Sequence, residues 1–320
     1  MKTLILGGAG YVGSTLTRRL WEAGHDVTVY DRLLFGSASL EPLQGRERFR
    51  LIEGDIRDAA ALQAVTAGQD AVALLAAIVG EPACNRDPQL AVETNLLGAR
   101  NALAAARRAG VDRFVFGSTC SNYGVSRPDA LVDETAPLQP LSTYSETKVQ
   151  AEKEILAAAS ELFHPTVLRF STAFGISARM RFDLLVSDFT RAAVREGKVV
   201  VYGEQFWRPF VHIEDIAKAV ELVLGASSET VGGEVFNIGA NSANTQKIEL
   251  ARRVQHRVEG SQLEFVKRDV DPRSYRVDFT KVRQRLGFVS DWSVDDGIRE
   301  VHEALLAGVW ADPYSSRYQN

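Results

Sequence analysis

The chain opens with MKTLILGGAGYVG, residues Met1–Gly13, and this stretch decides the fold. A short apolar run, Thr3–Leu6, leads directly into four glycines, and a segment with helical spacing follows. A dinucleotide-binding turn requires that order, because the strand must end, the chain must reverse tightly, and the next helix must present its N–H groups to a diphosphate. Since short glycine patterns also arise by chance, the position between a predicted strand and a predicted helix is what supports this interpretation.

Composition indicates a soluble globular protein and limits its partners. Of 320 residues, 45% are hydrophobic and 24% are charged, which allows a sizeable buried core. The net charge of −4 argues against a general nucleic-acid binder, because such proteins carry a basic excess. No apolar run reaches the roughly 20 residues that span a bilayer, and nothing resembling a signal peptide precedes the first strand. We therefore expect a cytoplasmic protein with neither a nucleic-acid nor a membrane partner.

The two cysteines, Cys84 and Cys120, lie far apart in the sequence and have no companion pair. They predict neither a disulfide framework nor a zinc cluster, so we expect no metal. Cys120 directly follows a predicted strand, where it could be a proton-transfer residue or a small packed side chain.

Strand-like and helix-like segments alternate through the first half of the chain. Short apolar runs predict strands, and apolar residues at three- and four-residue spacing predict helices. The predicted strands are Thr3–Leu6, Asp26–Asp31, Phe49–Gly54, Asp70–Ala77, Arg113–Gly117 and Pro165–Phe170, and the main helices are Tyr11–Ala23, Pro88–Gly110 and Leu141–Phe163. This βα repetition predicts an α/β fold with a doubly wound parallel sheet.

The alternation changes after Ser171, which indicates a second, smaller lobe. The predicted elements there are helices near Asp183–Glu196, His212–Leu224, Thr245–Val258, Phe279–Leu286 and Asp295–Leu306, and strands at Val199–Tyr202 and Glu234–Ile238. We assign residues 1–171 and 211–239 to a dinucleotide-binding domain. Residues 172–210 and 240–320 are assigned to a substrate-binding lobe over the carboxyl edge of the sheet.

Asp31 ends the second predicted strand, about twenty residues after the glycines. An acidic side chain at that point can accept hydrogen bonds from both hydroxyls of an adenosine ribose, which favours NAD over NADP. Arg32 complicates this choice, because an arginine there can accommodate a 2′-phosphate. NAD remains the expected cofactor.

Tyr144 and Lys148 lie one helical turn apart on one face of the predicted helix Leu141–Phe163. Because a nearby ammonium favours the phenolate, Lys148 is expected to lower the pKa of Tyr144 from its usual value of about 10. The pair then predicts a general acid–base group for an alcohol that loses and regains hydride. Ser118 and Thr119 end the fifth predicted strand, at the sheet edge where ligands bind, and offer hydroxyls to a substrate oxygen.

Several motifs together carry a family resemblance over nearly the whole chain. They are GGAGYVG (7–13), GDI (54–56), LAA (75–77), STCSNYG (118–124), YSETK (144–148) and RPFVHIED (208–215). In this combination the chain resembles the extended short-chain dehydrogenase/reductases, and within them the NAD-dependent sugar epimerase/dehydratase group. The resemblance implies a Rossmann-type domain with a smaller C-terminal nucleotide-sugar-binding lobe, and a nucleotide-diphosphate sugar as substrate. It also implies a homodimer formed through the helices Pro88–Gly110 and Leu141–Phe163.

The resemblance further implies a role for each residue that matches a motif. The implied catalytic residues are Thr119, Tyr144 and Lys148. The implied cofactor contacts are Gly7, Gly10, Tyr11, Val12, Gly13, Asp31, Asp55, Ile56, Ala76, Ala77, Asn95, Tyr144 and Lys148. The predicted substrate contacts are Ser118, Thr119, Thr172, Arg179, Arg208 and Arg273, of which the resemblance makes the last two candidates for the diphosphate.

The chain departs from the group at positions that bear on the reaction. The group's 4,6-dehydratases resemble STDEVYG, with an Asp-Glu pair after the threonine for proton transfer, and its decarboxylases also resemble a pattern with Glu at the second position. Here the two residues are Cys120 and Ser121, and Thr172 stands where the group usually has asparagine. We therefore expect an epimerase that acts through a transient 4-keto sugar. A 4-dehydrogenase or 4-ketoreductase is the next alternative and a 4,6-dehydratase the third; a non-catalytic dinucleotide sensor would typically lack the pair Tyr144 and Lys148.

Overall fold

The computed structural model describes residues 1–127, 130–267 and 273–320. The strands are β1 (Lys2–Leu6), β2 (Asp26–Asp31), β3 (Phe49–Glu53), β4 (Ala71–Leu74), β5 (Arg113–Thr119), β6 (Leu131–Val132), β7 (His164–Phe170), β8 (Thr172–Phe174), β9 (Lys198–Tyr202), β10 (Trp207–His212), β11 (Glu234–Ile238), β12 (Asn244–Gln246), β13 (Gln262–Val266) and β14 (Arg276–Val277). The α-helices are α1 (Tyr11–Glu22), α2 (Ala59–Thr66), α3 (Glu81–Arg86), α4 (Pro88–Val92), α5 (Gly98–Arg108), α6 (Thr143–Ala157), α7 (Leu185–Glu196), α8 (Ile213–Gly225), α9 (Ser228–Val231), α10 (Lys247–Arg257), α11 (Thr280–Leu286) and α12 (Val294–Leu306).

The main sheet has seven strands in the order β11-β7-β5-β4-β1-β2-β3. Each neighbouring pair is parallel, so the predicted doubly wound α/β fold is confirmed. The chain runs outward from β1 to β3 and then crosses back to β4 on the other side of β1. This reversal opens a crevice at the carboxyl ends of β1 and β4, which is where such sheets bind ligands.

The two faces of the sheet are covered by different helices, as strand alternation requires. On β1, Leu4 and Leu6 pack with the apolar faces of α5 and α6, while Ile5 packs with those of α1 and α8. All three side chains are fully buried. The position of the crevice is therefore fixed by a core on both sides of the sheet.

A separate apolar core belongs to the smaller lobe. Helices α7, α10 and α12 and strand β9 contribute its buried residues, among them Phe189, Val201, Leu250 and Ile298. The short strand β10 pairs with β8 in parallel and with β12 in antiparallel, next to the crevice. The lobe boundaries at residues 171, 210 and 239 stay a prediction.

The two long helices expected at 88–110 and 141–163 differ from the prediction. The first is interrupted, because α4 passes into a π-helical turn at Glu93–Leu97 before α5 begins. The second, α6, is shorter than predicted: it begins at a capping box made by Ser142 and Ser145 and ends at Ala157, before the expected end at Phe163. Among the helices of the described ranges, none combines the length and the apolar character needed to cross a membrane.

Candidate active site

A cavity of about 600 Å³ lies along the crevice between the main sheet and the smaller lobe. The structure brings nearly all the predicted ligand contacts to its walls, although they come from strand ends and loops throughout the chain. They are Gly7, Gly10, Tyr11, Val12, Gly13, Asp31, Asp55, Ile56, Ala76, Ala77, Ser118, Thr119, Tyr144, Lys148, Thr172, Arg179, Arg208 and Arg273.

The glycine turn packs closely against backbone atoms of its own chain and forms a cradle. A Cβ on Gly13 would lie 2.0 Å from the Gly7 carbonyl oxygen, and one on Gly7 would lie 2.6 Å from the Ala76 nitrogen. Gly10 is different, because a Cβ there would meet only the Gly7 carbonyl oxygen, at 3.4 Å. The chain's own packing therefore does not require glycine at position 10, whereas a ligand lying against the turn would.

Helix α1 begins at this turn with its first N–H groups unpaired by any side-chain cap. Its N-cap is Gly10, no acidic residue lies in the first turn, and the first backbone bond runs from Ser14 N to Gly10 O at 2.9 Å. The N–H groups and the positive end of the helix dipole suit an anion. The residues at this end of the cavity therefore fit the diphosphate of a dinucleotide.

Two carboxylates lie at the other side of the turn: Asp31 at the end of β2 and Asp55 just after β3. Asp31 accepts backbone hydrogen bonds from Ala9 N at 2.9 Å and Leu33 N at 2.8 Å, and burial raises its pKa. Asp55 is held by Arg57, whose hydrogen bonds lower the pKa of Asp55. Arg32 is directed to the same carboxylate, with its Nε 3.4 Å from Asp55 Oδ2. The arginine that complicated the choice between NAD and NADP is thus paired with an acid.

Asn95 is not among the residues that line the cavity, and its role as a cofactor contact stays a prediction. Its amide is bonded to the backbone of Ile78, accepting from N at 2.7 Å and donating to O at 3.0 Å. A further bond reaches Thr147 Oγ1 at 3.4 Å, so the buried side chain ties the loop after β4 to helix α6. These bonds hold Ile78, which lines the cavity.

Tyr144 and Lys148 lie on one face of α6 as predicted, but their electrostatics differ from the prediction. Lys148 is buried and donates to the Gly117 carbonyl at 2.9 Å, and its Nζ is 6.0 Å from the centre of the Tyr144 ring. Burial lowers the pKa of Lys148 to about 8. Burial also raises the pKa of Tyr144, so the expected lowering by Lys148 does not occur in the protein alone. Desolvation outweighs the positive charges of Arg181 and Arg273, which act to lower the pKa of Tyr144.

Ser118 and Thr119 both contribute to the cavity wall, but their side chains point to opposite sides of β5 and their hydroxyls have different partners. Ser118 is 2% exposed and its hydroxyl donates to the buried carboxylate of Glu152, so its role as a substrate contact stays a prediction. The Thr119 side chain lies at the cavity wall and accepts a hydrogen bond from Ser121 N at 3.1 Å. Because hydroxyls also donate, Thr119 can bond to a substrate oxygen.

The two positions after Thr119 carry no carboxylate and are not alike. Cys120 is fully buried, its thiol donates to the Arg169 carbonyl at 3.2 Å, and burial raises its pKa to about 12. Cys120 is therefore a packed side chain, the second of the two readings of the sequence. Ser121 lines the cavity, and its Oγ lies 3.3 Å from the Tyr275 hydroxyl.

The predicted substrate arginines form two groups. Arg208 and Arg273 lie together, since the Arg208 guanidinium donates to the Arg273 carbonyl, and Arg273 Nη1 lies 3.4 Å from Ser121 Oγ. Arg179 contacts Phe35 and the chain's last two residues instead. Thr172 lies in the cavity wall on β8, half-buried.

Several cavity residues were not predicted from the sequence. Glu81 pairs with Arg273 at 3.5 Å, Arg181 is bound by Asp183 at 2.6 Å, and Phe35 and Tyr275 supply aromatic surface. The only signal for Glu81 and Phe35 was their place in loops after β4 and β2, at the carboxyl edge of the sheet. That signal locates a loop and does not tell which of its side chains faces the ligand.

Comparisons with known proteins agree with this architecture. The sequence signature of the NAD dependent epimerase/dehydratase family matches residues 3–239. A dTDP-glucose 4,6-dehydratase of Streptomyces niveus is 31% identical, over 99% of this chain and 96% of its own length. A UDP-glucose 4-epimerase of Corynebacterium glutamicum is also 31% identical, over 91% of each chain.

A solved structure of similar shape is the dTDP-glucose 4,6-dehydratase DesIV of Streptomyces venezuelae, determined with NAD bound. It is 27% identical to this chain, with a TM-score of 0.86, and the match covers 98% of this chain and 100% of that one. The relatives therefore include more than one reaction on nucleotide sugars.

Proposed function

Because the chain belongs to the NAD dependent epimerase/dehydratase family, it is an enzyme, and we propose that it epimerises a nucleotide-diphosphate sugar through a transient 4-keto intermediate with NAD as cofactor. The observation that carries the choice of reaction is the pair of residues after Thr119. Elimination of water needs an acid and a base placed beside the sugar. Cys120 is sealed in the core with a raised pKa, and Ser121 is a hydroxyl.

The residues of the glycine turn fit NAD. Gly7, Gly10 and Gly13 would hold its diphosphate at the start of α1, and Asp31 its adenosine ribose. When bound, NAD supplies a hydride acceptor that can return the hydride, and its oxidised form carries a positive charge that favours a nearby phenolate. The high pKa of Tyr144 in the protein alone therefore couples its activation to occupancy of this site.

Tyr144 is the proposed acid–base group. Its phenolate would take the proton from the C4 hydroxyl of the sugar while C4 is oxidised to a ketone, and Thr119 would donate a hydrogen bond to the C4 oxygen. Buried Lys148 would keep a positive charge close to the phenol. After the keto sugar turns its other face, C4 is reduced again and Tyr144 returns the proton, so no atom is gained or lost.

The substrate diphosphate is assigned to Arg208 and Arg273. A guanidinium presents donors in a planar fork that matches phosphate oxygens. Both residues line the same cavity as Thr119 and Tyr144. The proposed homodimer through the helices near 88–110 and 141–163 stays a prediction.

The test is to incubate the purified protein with UDP-, GDP-, dTDP- and CDP-sugars and to follow product mass, NMR spectra and NADH absorbance together. The proposal expects an isomer of unchanged mass with no net NADH. Stoichiometric NADH would support a 4-dehydrogenase, and a product lighter by one water would support a 4,6-dehydratase.

Tyr144→Phe separates an enzyme from a dinucleotide sensor. The variant is expected to lose at least about a hundredfold in kcat, as removal of a general acid–base group does. The matched control is Tyr202→Phe, which makes the same change on β9 at a residue that is not among those lining the cavity. Unchanged turnover in Tyr144→Phe would contradict the catalytic assignment.

A further inference from the structure

One loop of the smaller lobe is fastened directly to the glycine end of the cavity. The Tyr11 hydroxyl donates to the Gly175 carbonyl at 2.6 Å, and Ser177 Oγ donates to the Tyr11 carbonyl at 2.8 Å. Ser177 Oγ also lies 3.0 Å from Ser14 Oγ. These bonds hold residues 175–179 against the first turn of α1, where the dinucleotide diphosphate is expected.

Arg179, at the end of this loop, joins three distant parts of the chain. Its guanidinium carbon lies 3.6 Å from the centre of the Phe35 ring, which belongs to the loop after β2. Its Nη2 donates to the Gln319 carbonyl at 2.9 Å and to Asn320 Oδ1 at 2.8 Å. Phe35, Arg179 and Asn320 all line the cavity, and the Phe35 side chain is otherwise exposed.

The charge of Arg179 is buried, and among the described residues no carboxylate forms an ion pair with it, although Asp183 lies near enough to favour the charged form. The residue is 6% exposed, and among the described residues its Nε has no hydrogen-bond partner. The carboxylate nearest in sequence, Asp183, is bound by Arg181. Burial and the neighbouring Arg181 lower the pKa of Arg179 to about 10. A buried cation of this kind is costly unless an anion accompanies it.

We propose that Phe35, Arg179 and residues 319–320 form a clasp that closes over the diphosphate of NAD and makes the dinucleotide a retained cofactor. Arg179 lines the cavity, so its guanidinium would bond to a phosphate oxygen there, and the ligand would supply negative charge beside this buried cation. Departure of NAD would then require the Arg179–Phe35 stack and the bonds to Gln319 and Asn320 to separate. This inference rests on the proposed NAD site and not on the reaction.

The test measures NAD retention, with Arg179→Leu as the main variant and Arg252→Leu as the control. Arg252 makes an exposed pair with Glu249 on α10, its one ion pair among the described residues. The NAD content of the purified proteins is determined after acid release, and NADH-loaded protein is chased with excess NAD while NADH fluorescence is followed. Arg179→Leu is expected to release the dinucleotide about ten- to a hundredfold faster, since one charge-assisted hydrogen bond and a stack are lost. The control is expected to match the parent.

Two further variants keep the result interpretable if Arg179→Leu does not fold. Phe35→Ala removes the stack from a partly exposed position, and Arg179→Lys keeps the charge without the planar guanidinium. Both are expected to release NADH faster than the parent. Parent-like release in these variants would overturn the clasp.

The same variants distinguish NAD from the substrate as the source of the diphosphate. Titration calorimetry with UDP and dTDP measures the substrate side directly. Weaker nucleotide binding with unchanged NADH release would make Arg179 a substrate residue, as first predicted, and would contradict the inference. Because neither readout needs turnover, failure of the epimerase proposal would leave this result standing.

Discussion

Replacing Glu152 with glutamine is expected to lower the free energy of unfolding by about 3 kcal/mol. Glu152 is 1% exposed and Arg169 is 4% exposed, and Arg169 Nη2 lies 2.8 Å from Glu152 Oε2. The same carboxylate accepts hydrogen bonds from Asn122 Nδ2 at 2.7 Å and from the Ser118 hydroxyl. The substitution leaves the Arg169 charge buried without its partner.

The magnitude follows from burial. Breaking a buried ion pair by changing one partner costs roughly 3–5 kcal/mol, and the glutamine amide retains one acceptor oxygen, so we expect the lower end. Glu154→Gln is the matched control. Glu154 lies on the same helix as Glu152 but pairs with Arg100 of α5, and the side chains of Arg100 and Glu154 are 46% and 39% exposed. Solvent screening limits that pair to less than about 1 kcal/mol.

The assay is equilibrium urea unfolding of both variants and the parent. Replacing Glu152 and Arg169 together with methionine should recover much of the lost stability, because no charge is then left alone in the core. Equal losses for Glu152→Gln and Glu154→Gln, or no recovery in the double variant, would refute the reasoning.

Four other substitutions have defined outcomes. The free energy of unfolding of Gly10→Ala should lie within about 1 kcal/mol of the parent's, because the new Cβ meets only the Gly7 carbonyl oxygen, at 3.4 Å. The variant should nevertheless hold less NAD, because this Cβ fills the space expected for the diphosphate. Gly13→Ala should destabilise the fold by about 3 kcal/mol, because its Cβ would lie 2.0 Å from the same Gly7 oxygen. Urea unfolding and measurement of bound NAD check both variants. Parent-like NAD content in Gly10→Ala would contradict this account of the turn. Since the pKa of Lys148 is lowered to about 8, its ammonium is present below that pH and is lost above it, so kcat should fall as pH rises through 8. Lys148→Arg stays charged, so its pH–rate profile should lack this decline, and an unshifted decline would assign the titration to another group. Cys120→Ala should keep kcat within about threefold of the parent in steady-state assays, because the buried thiol does not reach the substrate, and a tenfold fall would restore Cys120 as a proton donor.

The sequence predicted the elements that depend on local pattern. Asp26–Asp31 and Glu234–Ile238 are strands with the predicted bounds, because each is a short apolar run between turn residues. Strand β13 was missed, since it depends on parallel pairing with β9 more than fifty residues earlier. The π-helical turn within 88–110 was also missed, because helical periodicity does not report a single extra residue in a turn.

Most of the predicted site residues line one cavity, but the orientation of their side chains was predicted less well. Ser118 and Thr119 are adjacent on a strand, so their side chains point to opposite sides, and strand alternation alone could have shown this. The sign of the pKa change at Tyr144 could not be obtained from spacing, because it depends on how much solvent the folded chain removes. The contacts of Arg179 with Phe35 and Asn320 join distant segments and follow only from tertiary structure.

The most direct test of the central proposal uses a nucleotide sugar deuterated at C4. If oxidation and reduction occur at the same carbon, mass spectrometry and NMR will show an epimer of unchanged mass that retains the deuterium at C4, with none in free NADH. Deuterium recovered in NADH, or on another carbon of a product that has lost water, would contradict epimerisation through a transient 4-keto sugar.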